Sequence, residues 1–98
     1  MTYEVVIRPE AIQDLIEARN WYESRRDNLG GEFLDAAEVA LSRIEANPEM
    51  YAPGYREIRR AKLPRFPHIV YYRLVNSTIE VLAVLHGARH AGAWASRL

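Results

Sequence analysis

Residues 68–86 read HIVYYRLVNSTIEVLAVLH and contain two strand-forming segments with a turn between them. The first segment, 68–75, is dense in β-branched and aromatic residues, which favour strands. Asn76-Ser77 is typical of a tight turn, and 78–86 then continues as an almost uninterrupted apolar run. A strand of this composition is usually buried on both faces, so we expect it in the centre of a sheet.

Side chains alternate between the two faces of a regular strand, and this predicts which residues of the hairpin point the same way. On the first strand, one face is expected to carry Ile69, Tyr71 and Arg73, and the other His68, Val70 and Tyr72. On the second strand, strict alternation predicts one face with Leu82, Val84 and His86, and another with Ile79, Val81, Ala83 and Leu85.

The sequence before this hairpin predicts a short strand followed by two helices. Residues 3–8 favour a short strand with Tyr3, Val5 and Ile7 on one face. Residues 9–27 and 31–46 carry apolar side chains at helical spacing, and Gly30-Gly31 between them is expected to break the chain and turn it. Two antiparallel helices joined by a short turn form a helical hairpin.

The remaining segments complete a predicted order β-α-α-β-β-β. Residues 48–54 are expected to form a loop, 55–63 a strand rich in charge, and 90–97 a short helix or a loose tail. We therefore predict a single α+β domain over residues 1–98, in which a helical hairpin packs on a small sheet of antiparallel strands.

Length and composition exclude several classes of protein. A chain of 98 residues is long enough for one core and too short for two. It contains no cysteine, which excludes disulfides, thiol catalysis and thiolate metal sites. No apolar run approaches the ~20 residues that a membrane span needs, and the N-terminus lacks the features of a signal peptide. We therefore expect a soluble, cytoplasmic protein.

The net charge of zero conceals an uneven distribution. Residues 1–49 carry eleven acidic and five basic side chains, a net charge of −6, whereas residues 50–98 carry two acidic and eight basic ones, a net charge of +6. Such an asymmetry is typical of a protein with an anionic partner for its basic half. It is equally typical of acidic helices packed against a basic sheet.

Four segments in this order are similar to those of a known family. They are VIRPEAIQDL (6–15), NPEMYAP (47–53), IRRAKLPRFPHIVYYRL (58–74) and IEVLAVLHGARH (79–90). Together they resemble the RelE/ParE superfamily of toxins from bacterial type II toxin–antitoxin modules. The resemblance implies a helical hairpin on a twisted, mostly antiparallel sheet, a cognate antitoxin that wraps around the toxin in a hetero-oligomer, and no cofactor.

The superfamily divides by target. RelE-like members cut mRNA in the ribosome, often with a tyrosine in the C-terminal tail, whereas ParE-like members are associated with DNA gyrase. This tail has no tyrosine, and Lys62 is the only lysine, so the resemblance favours a ParE-like, non-enzymatic toxin. An mRNA endonuclease, and a degenerate module that only binds an antitoxin, are the alternatives.

The resemblance and the residue types give candidate sites. Cleavage of RNA needs a base, an acid and cations for the phosphorane charge. The nuclease candidates are Arg59, Arg65, Arg73, His86, Arg89 and His90. A structural interpretation stands beside the catalytic one for some of them: Arg59 or its neighbour Arg60 pairs with helix acids, His86 is hydrogen-bonded at the end of a buried strand, and His90 is solvated. The three histidines lack metal-ligand spacing with nearby carboxylates, so no metal site is expected.

Contact surfaces follow from the same resemblance. The predicted target contacts are Arg73, Arg89, Trp94 and Arg97. Trp94 is interpreted either as an exposed anchor for a partner or as a side chain that docks the tail onto the sheet. The predicted antitoxin contacts are Trp21, Tyr22 and Leu34 on the two helices.

Overall fold

The computed structural model describes residues 2–88 and 93–98. Its elements, in chain order, are β1 (Glu4–Ile7), α1 (Pro9–Arg25), α2 (Leu29–Ala46), a 3-10 turn (Tyr55–Glu57), β2 (Arg59–Lys62), β3 (His68–Val75), β4 (Thr78–His86) and a second 3-10 turn (Ala95–Arg97). The predicted order β-α-α-β-β-β and the α+β class are confirmed.

The four strands form one mixed sheet in the spatial order β1-β4-β3-β2. The strands β2, β3 and β4 are antiparallel neighbours, and β1 lies parallel to β4. The strand β4 therefore occupies an interior position, as its apolar sequence predicts. The parallel pairing of β1, which brings the start of the chain beside its last strand, was not predicted.

The helical hairpin covers one face of the sheet. The helix α1 begins with Pro9 at its first turn, a position where the missing N–H of proline costs nothing. The main core lies between the helices and the sheet. Its largest fully buried side chains are Phe33, Ile44, Leu63, Val70, Tyr72, Ile79 and Val81.

A second, smaller core lies on the opposite face, which we call the open face because no helix covers it. It consists of Ile58, Tyr71, Leu82, Ala83, Leu85 and Trp94. Trp94 is only 6% exposed, and its ring centroid lies 6.0 Å from that of Tyr71. The tail is therefore docked on the sheet, and the interpretation of Trp94 as a freely exposed anchor is wrong.

A β-bulge interrupts the pairing of β3 with β4. Tyr71 lies opposite Ala83 while Tyr72 lies opposite Val81, so Leu82 is an extra residue on β4. The bulge reverses the alternation beyond this point: Val81 and Val84 face the helices, whereas Leu82 and Ala83 both belong to the open face. The strict alternation predicted for β4 is therefore wrong after Leu82.

The turn between the helices differs from its prediction. The helix α1 ends at Arg25 rather than at residue 27, and α2 begins at Leu29, so Gly30 and Gly31 lie inside α2. The chain turns at Asn28, whose φ of 72° is left-handed. The Glu23 carboxylate accepts hydrogen bonds from the backbone N–H groups of Asn28 and Gly30, at 3.0 and 2.9 Å. These bonds lower the pKa of Glu23 below its usual value.

The predicted strand 55–63 is also shorter in the structure, because its first part is a 3-10 turn. Within that turn, Arg56 and Glu57 have φ angles of 55° and 66°, which are incompatible with an extended strand. Regular pairing with β3 begins at Arg59, which lies opposite Tyr72.

Candidate functional site

Three of the four nuclease candidates that the structure describes are arginines, and each is held by a protein group. The guanidinium of Arg59 donates to the carbonyl oxygens of Glu49 and Tyr51, so it fastens the loop after α2 to the sheet. The Arg65 guanidinium donates to the Glu32 carboxylate on α2 at 2.7 Å. Both contacts are structural, but Arg59 holds backbone carbonyls of the loop rather than the helix acid expected for Arg59 or Arg60.

Glu32 connects two positive charges. Its second carboxylate oxygen accepts from Arg26, at 3.0 Å, and its first from Arg65. The two arginine hydrogen bonds lower the pKa of the Glu32 carboxyl below its usual value, and the remaining Coulombic attraction acts in the same direction. This exposed cluster links the turn between the helices to the loop that precedes β3.

Arg73 lies on the open face, directly opposite Glu80 on β4. Its Nε donates to the Glu80 carboxylate, and Arg8 approaches the other carboxylate oxygen at 3.7 Å. Cross-strand pairs of opposite charge stabilise sheets by a fraction of a kcal/mol, about 0.2–1. Arg73 is therefore engaged within the fold, although its side chain remains partly accessible.

His86 is the fourth described candidate and lies on the helix side of the sheet, near its end. Its Nδ1 accepts a hydrogen bond from the backbone N–H of Ala88, at 2.9 Å. Its ring lies 5.5 Å from the ring of His68, which is buried against Tyr22 and Phe33. Burial lowers the pKa of His68 to about 4, and the neighbouring His86 acts in the same direction. His68 is thus a neutral core residue at pH 7.

The nuclease candidates do not form one constellation in the part of the chain that the structure describes. Arg59 faces the loop after α2, Arg65 contacts α2, Arg73 lies on the open face, and His86 lies at the end of β4. Arg89 and His90 lie outside the described residues. Within residues 2–88 and 93–98, no three potential metal ligands lie close enough together to hold an ion.

Arg97 was predicted as a target contact, and the structure pairs it with Asp14 of α1. Its Nη1 and Nη2 donate to the two carboxylate oxygens at 2.6 and 3.0 Å, and both side chains are largely shielded from solvent. The hydrogen bonds to Asp14 raise the pKa of the Arg97 guanidinium above its usual value. Fork-shaped pairs of this kind are among the stronger ion pairs in proteins.

The same pair closes an edge of the sheet. The strand β1 pairs with β4 only as far as Val81, so the backbone of β4 beyond that residue lacks a strand on this side. The Val84 N–H instead donates to Asp14, at 3.0 Å, and the Leu82 carbonyl accepts from Arg97, at 3.1 Å. The sequence interpretation missed Asp14, because nothing in its local pattern distinguishes it from the other helix acids.

The open face also contains a cleft of about 310 Å³ beside the docked tail. Its walls are aromatic, from Tyr55, Tyr71 and Trp94, and Arg60 lies at its edge. None of Tyr55, Arg60 and Tyr71 was among the predicted site residues. Their juxtaposition depends on the 3-10 turn and on the docking of the tail, which the sequence pattern did not predict.

The predicted antitoxin contacts occupy different environments on the hairpin. Trp21 is 53% exposed, packs edge-on against Tyr22 and carries the Arg25 guanidinium 4.5 Å above its ring. Leu34 is 40% exposed. Tyr22 is half-buried, and its ring stacks on Phe33 in the core, so most of its surface is used by the fold.

No helix within the described residues is both long and apolar enough to cross a membrane.

Comparisons with known proteins assign the chain to a family. Residues 5–91 match the family model described as ParE toxin of type II toxin–antitoxin system, parDE. Toxin ParE2 of Mycobacterium tuberculosis, from strains CDC 1551 / Oshkosh and ATCC 25618 / H37Rv, is 31% identical over 97 residues, which cover 95% of this chain and 90% of the relative.

A solved structure described as "Chromosomal ParDE TA system from P. aeruginosa" has the same fold. It superposes with a TM-score of 0.66 at 18% identity, and the match covers 87% of this chain and 96% of that one. The family match over nearly the whole chain, together with the strand–hairpin–sheet architecture, leads to one conclusion: this chain belongs to the ParE toxin family of type II toxin–antitoxin systems.

Proposed function

We propose that this ParE-family toxin arrests growth in the cytoplasm by acting on DNA gyrase, without cutting RNA, and that a cognate antitoxin neutralises it in a hetero-oligomeric complex. The observation that carries the proposal is the match of residues 5–91 to the ParE toxin family. The relatives named ParE2 are described as toxins, which supports growth arrest as the outcome.

The nuclease candidates Arg59, Arg65 and Arg73 are hydrogen-bonded to other protein groups, and this supports a mechanism without RNA cleavage. A nuclease needs a base and an acid on opposite sides of one phosphate, with free cations beside it. Arg59, Arg65 and Arg73 each donate to a protein oxygen instead, and they lie in three different places. The alternatives, an mRNA endonuclease and a module that binds only an antitoxin, make different predictions in the same experiment.

That experiment is induced expression in a host that lacks the antitoxin gene. We expect filamentation and a DNA-damage response while mRNA stays intact, and we expect purified toxin to inhibit gyrase supercoiling or to trap cleaved DNA. New mRNA 5′ ends with a translation arrest would instead identify an endonuclease. Unchanged growth at full expression would identify the degenerate module, and no effect on gyrase at excess toxin would contradict the proposed target.

The antitoxin is proposed to pack across the helical hairpin. Several large apolar side chains are exposed there, including Trp21, Leu34, Ile12 and Ile16. Clusters of exposed apolar side chains mark interaction surfaces, and tryptophan contributes strongly to binding energy. The partner would bury this surface, and Tyr22 would contribute through the part of its ring that the core leaves accessible.

Alanine substitutions test this placement. We expect Trp21→Ala and Leu34→Ala each to weaken antitoxin binding at least ten-fold in calorimetry with the purified proteins. Val75→Ala is the matched control, because Val75 is 46% exposed and lies on β3 rather than on the helices. Unchanged affinity for both helix variants would contradict the placement but not the toxin assignment.

The target contacts Arg73, Arg89, Trp94 and Arg97 stay proposals. Among the described members, Arg73 has the most accessible side chain, whereas Trp94 and Arg97 hold the tail. We expect Arg73→Gln to reduce growth arrest while Arg43→Gln, at an exposed position of α2, leaves it intact. Equal toxicity of both variants would remove Arg73 from the proposed surface.

A further inference from the structure

The aromatic cleft on the open face contains features that the toxin fold does not use. Its volume of about 310 Å³ lies at the lower end of the range for ligand sites, roughly 300–1,000 Å³. The ring of Trp94 lies 6.1 Å from the ring of Tyr55 and 6.0 Å from that of Tyr71, and Ile58 contributes an apolar surface. The cleft therefore has room for one large apolar side chain between aromatic walls.

Positive charge is concentrated at the edge of this cleft. The Arg60 guanidinium lies 5.6 Å above the Tyr71 ring, and the Arg56 guanidinium lies 5.5 Å from the Tyr55 ring. Within the described part of the chain, no carboxylate lies within 4.0 Å of either group. Arg60 lines the cleft, and Arg56 adjoins it through Tyr55, to whose hydroxyl its Nε donates at 3.2 Å. Farther along the same face, Arg73 and Arg8 share Glu80.

The 3-10 turn that places Tyr55 and Arg56 at the cleft has an unfavourable backbone conformation. Arg56 and Glu57 both have left-handed φ angles, which side chains other than glycine seldom adopt. The result is that the Tyr55 ring is 66% exposed at the edge of the cleft, where the fold gains little burial from it. Backbone strain of this kind is concentrated at binding and active sites.

We propose that this cleft binds an apolar or aromatic side chain of an extended peptide segment whose adjacent carboxylates pair with Arg60 and Arg56. Arginine beside aromatic rings, at the edge of a buried apolar pocket, is the composition of protein-interface hot spots. Charge-assisted hydrogen bonds from the guanidinium groups would fix the orientation of the peptide. The cleft shares Trp94 with the proposed target contacts, but the binding proposed here requires neither gyrase nor the antitoxin.

A peptide fits this surface better than a nucleic acid does. Binding of a polyanion requires a row of cations that follows successive phosphates. On the described part of this face, Lys62 follows Arg60 on β2 and contacts the Phe66 carbonyl oxygen at 3.5 Å. Arg73 on β3 is paired with Glu80, so Arg60 is the cation that lines the cleft itself. The cleft holds one side chain rather than a series of stacked bases.

The two tryptophans of the chain allow a direct test by NMR, because Trp94 lines the cleft and Trp21 lies on α1. The probe is a blocked peptide, Gly-Ser-Phe-Asp-Asp-Ser-Gly, added to the ¹⁵N-labelled full chain. We expect a saturable shift of the Trp94 indole N–H and none for that of Trp21. Analogues with Ala for Phe, or Lys for both Asp residues, are expected to bind at least ten-fold more weakly.

Variants of the chain test the aromatic contact and the charge contact of the proposed peptide separately. We expect Tyr55→Ala and Arg60→Gln each to weaken binding of the probe peptide at least ten-fold. The matched controls Val39→Ala and Arg43→Gln lie at exposed positions of α2 and are expected to leave it unchanged. Because Tyr55 and Arg60 are exposed, each variant should keep the wild-type fold, which the unchanged Trp21 indole signal checks. In Tyr55→Ala the Trp94 signal itself is expected to start from a new position, because the Tyr55 ring lies 6.1 Å from that of Trp94.

Three outcomes would overturn the proposal. The first is the absence of a saturable Trp94 shift at millimolar peptide. The second is tighter binding of a ten-residue oligouridylate to the same indole, which would make the cleft a nucleic-acid site. The third is a Trp94 shift on dilution of the chain alone, which would assign the cleft to contact with a second copy.

Discussion

Asp14 of α1 and Arg97 near the end of the chain form a two-point ion pair that also hydrogen-bonds the uncovered edge of β4. The Asp14 carboxylate accepts the Val84 N–H, and the Arg97 guanidinium donates to the Leu82 carbonyl. Unpaired edges of strands invite pairing with other chains. The side chains of Asp14 and Arg97 therefore make the hydrogen bonds to β4 that a longer β1 would make.

Removal of Arg97 should destabilise the fold. The Arg97→Gln variant leaves the shielded Asp14 carboxylate without its cation, and loss of one partner from such a pair costs about 2–4 kcal/mol. The measurement is the free energy of unfolding from urea titration at pH 7. The control is Arg43→Gln, at an exposed position of α2. It should change the free energy of unfolding by less than about 0.5 kcal/mol. Equal stability of the two variants would show that the pair contributes nothing.

The adjacent glycines of α2 should respond to alanine in opposite directions. A Cβ at Gly30 would lie 2.7 Å from the Arg19 carbonyl oxygen and 2.9 Å from the Glu23 carboxylate. We expect Gly30→Ala to lose about 1–3 kcal/mol of stability. A Cβ at Gly31 meets nothing within 4 Å, so Gly31→Ala should gain about 0.5–1 kcal/mol. Thermal unfolding distinguishes them, and two shifts of the same sign would refute the close approach of α1 to α2.

Stability should fall in mild acid because of His68. Its pKa is about 4 in the folded chain and about 6.5 when unfolded, so the unfolded state binds more protons between those values. The contribution is fully present above pH 6.5, and about 3 kcal/mol is lost as the pH falls to 4.

The experiment compares wild type with His68→Phe, because the pH dependence that the two proteins share cancels in the difference between their unfolding free energies. Between pH 6.5 and pH 4, the unfolding free energy of wild type should fall relative to that of the variant by about 3 kcal/mol. A constant difference over that interval would mean that His68 is not held neutral by burial.

Tyr72 should anchor the loop after α2 through its hydroxyl group. That hydroxyl donates to the Pro48 carbonyl at 2.7 Å, and burial raises the pKa of Tyr72 to about 12. We expect Tyr72→Phe to cost about 1–2 kcal/mol, because the buried carbonyl loses its donor. Tyr51→Phe, at a partly buried ring in contact with Tyr72, is the control and should be nearly neutral. Hydrogen exchange in residues 48–54 should accelerate only in the Tyr72 variant.

The sequence was sufficient for the fold class because its strongest patterns are local. The apolar run of 78–86 identified an interior strand, and the two helical stripes identified the hairpin. The errors arise where tertiary contacts override a local rule. Gly30 resembles a helix breaker, but it provides space for α1 against α2, and the carboxylate of Glu23 satisfies its N–H.

The candidate sites were harder to predict because they depend on strand register and on the tail. Alternation along β4 fails at Leu82, since a bulge cannot be recognised from an apolar run that lacks glycine. Arg65 and Arg73 were predicted only as nuclease or target residues, and their partners Glu32 and Glu80 could not be selected without coordinates. Asp14 could be identified only after Arg97 was placed beside it.

The parallel pairing of β1 with β4 has a consequence for folding during synthesis. Val5 lies opposite Ile79, so the first strand cannot pair with its partner until β4 has been made. Contacts between such distant residues slow folding, because the intervening chain must be ordered first. Until the sheet forms, the apolar face of the nascent helical hairpin therefore stays uncovered. The toxin fold can be completed only after β4 has been made, which leaves an interval in which a partner could bind the unfinished chain.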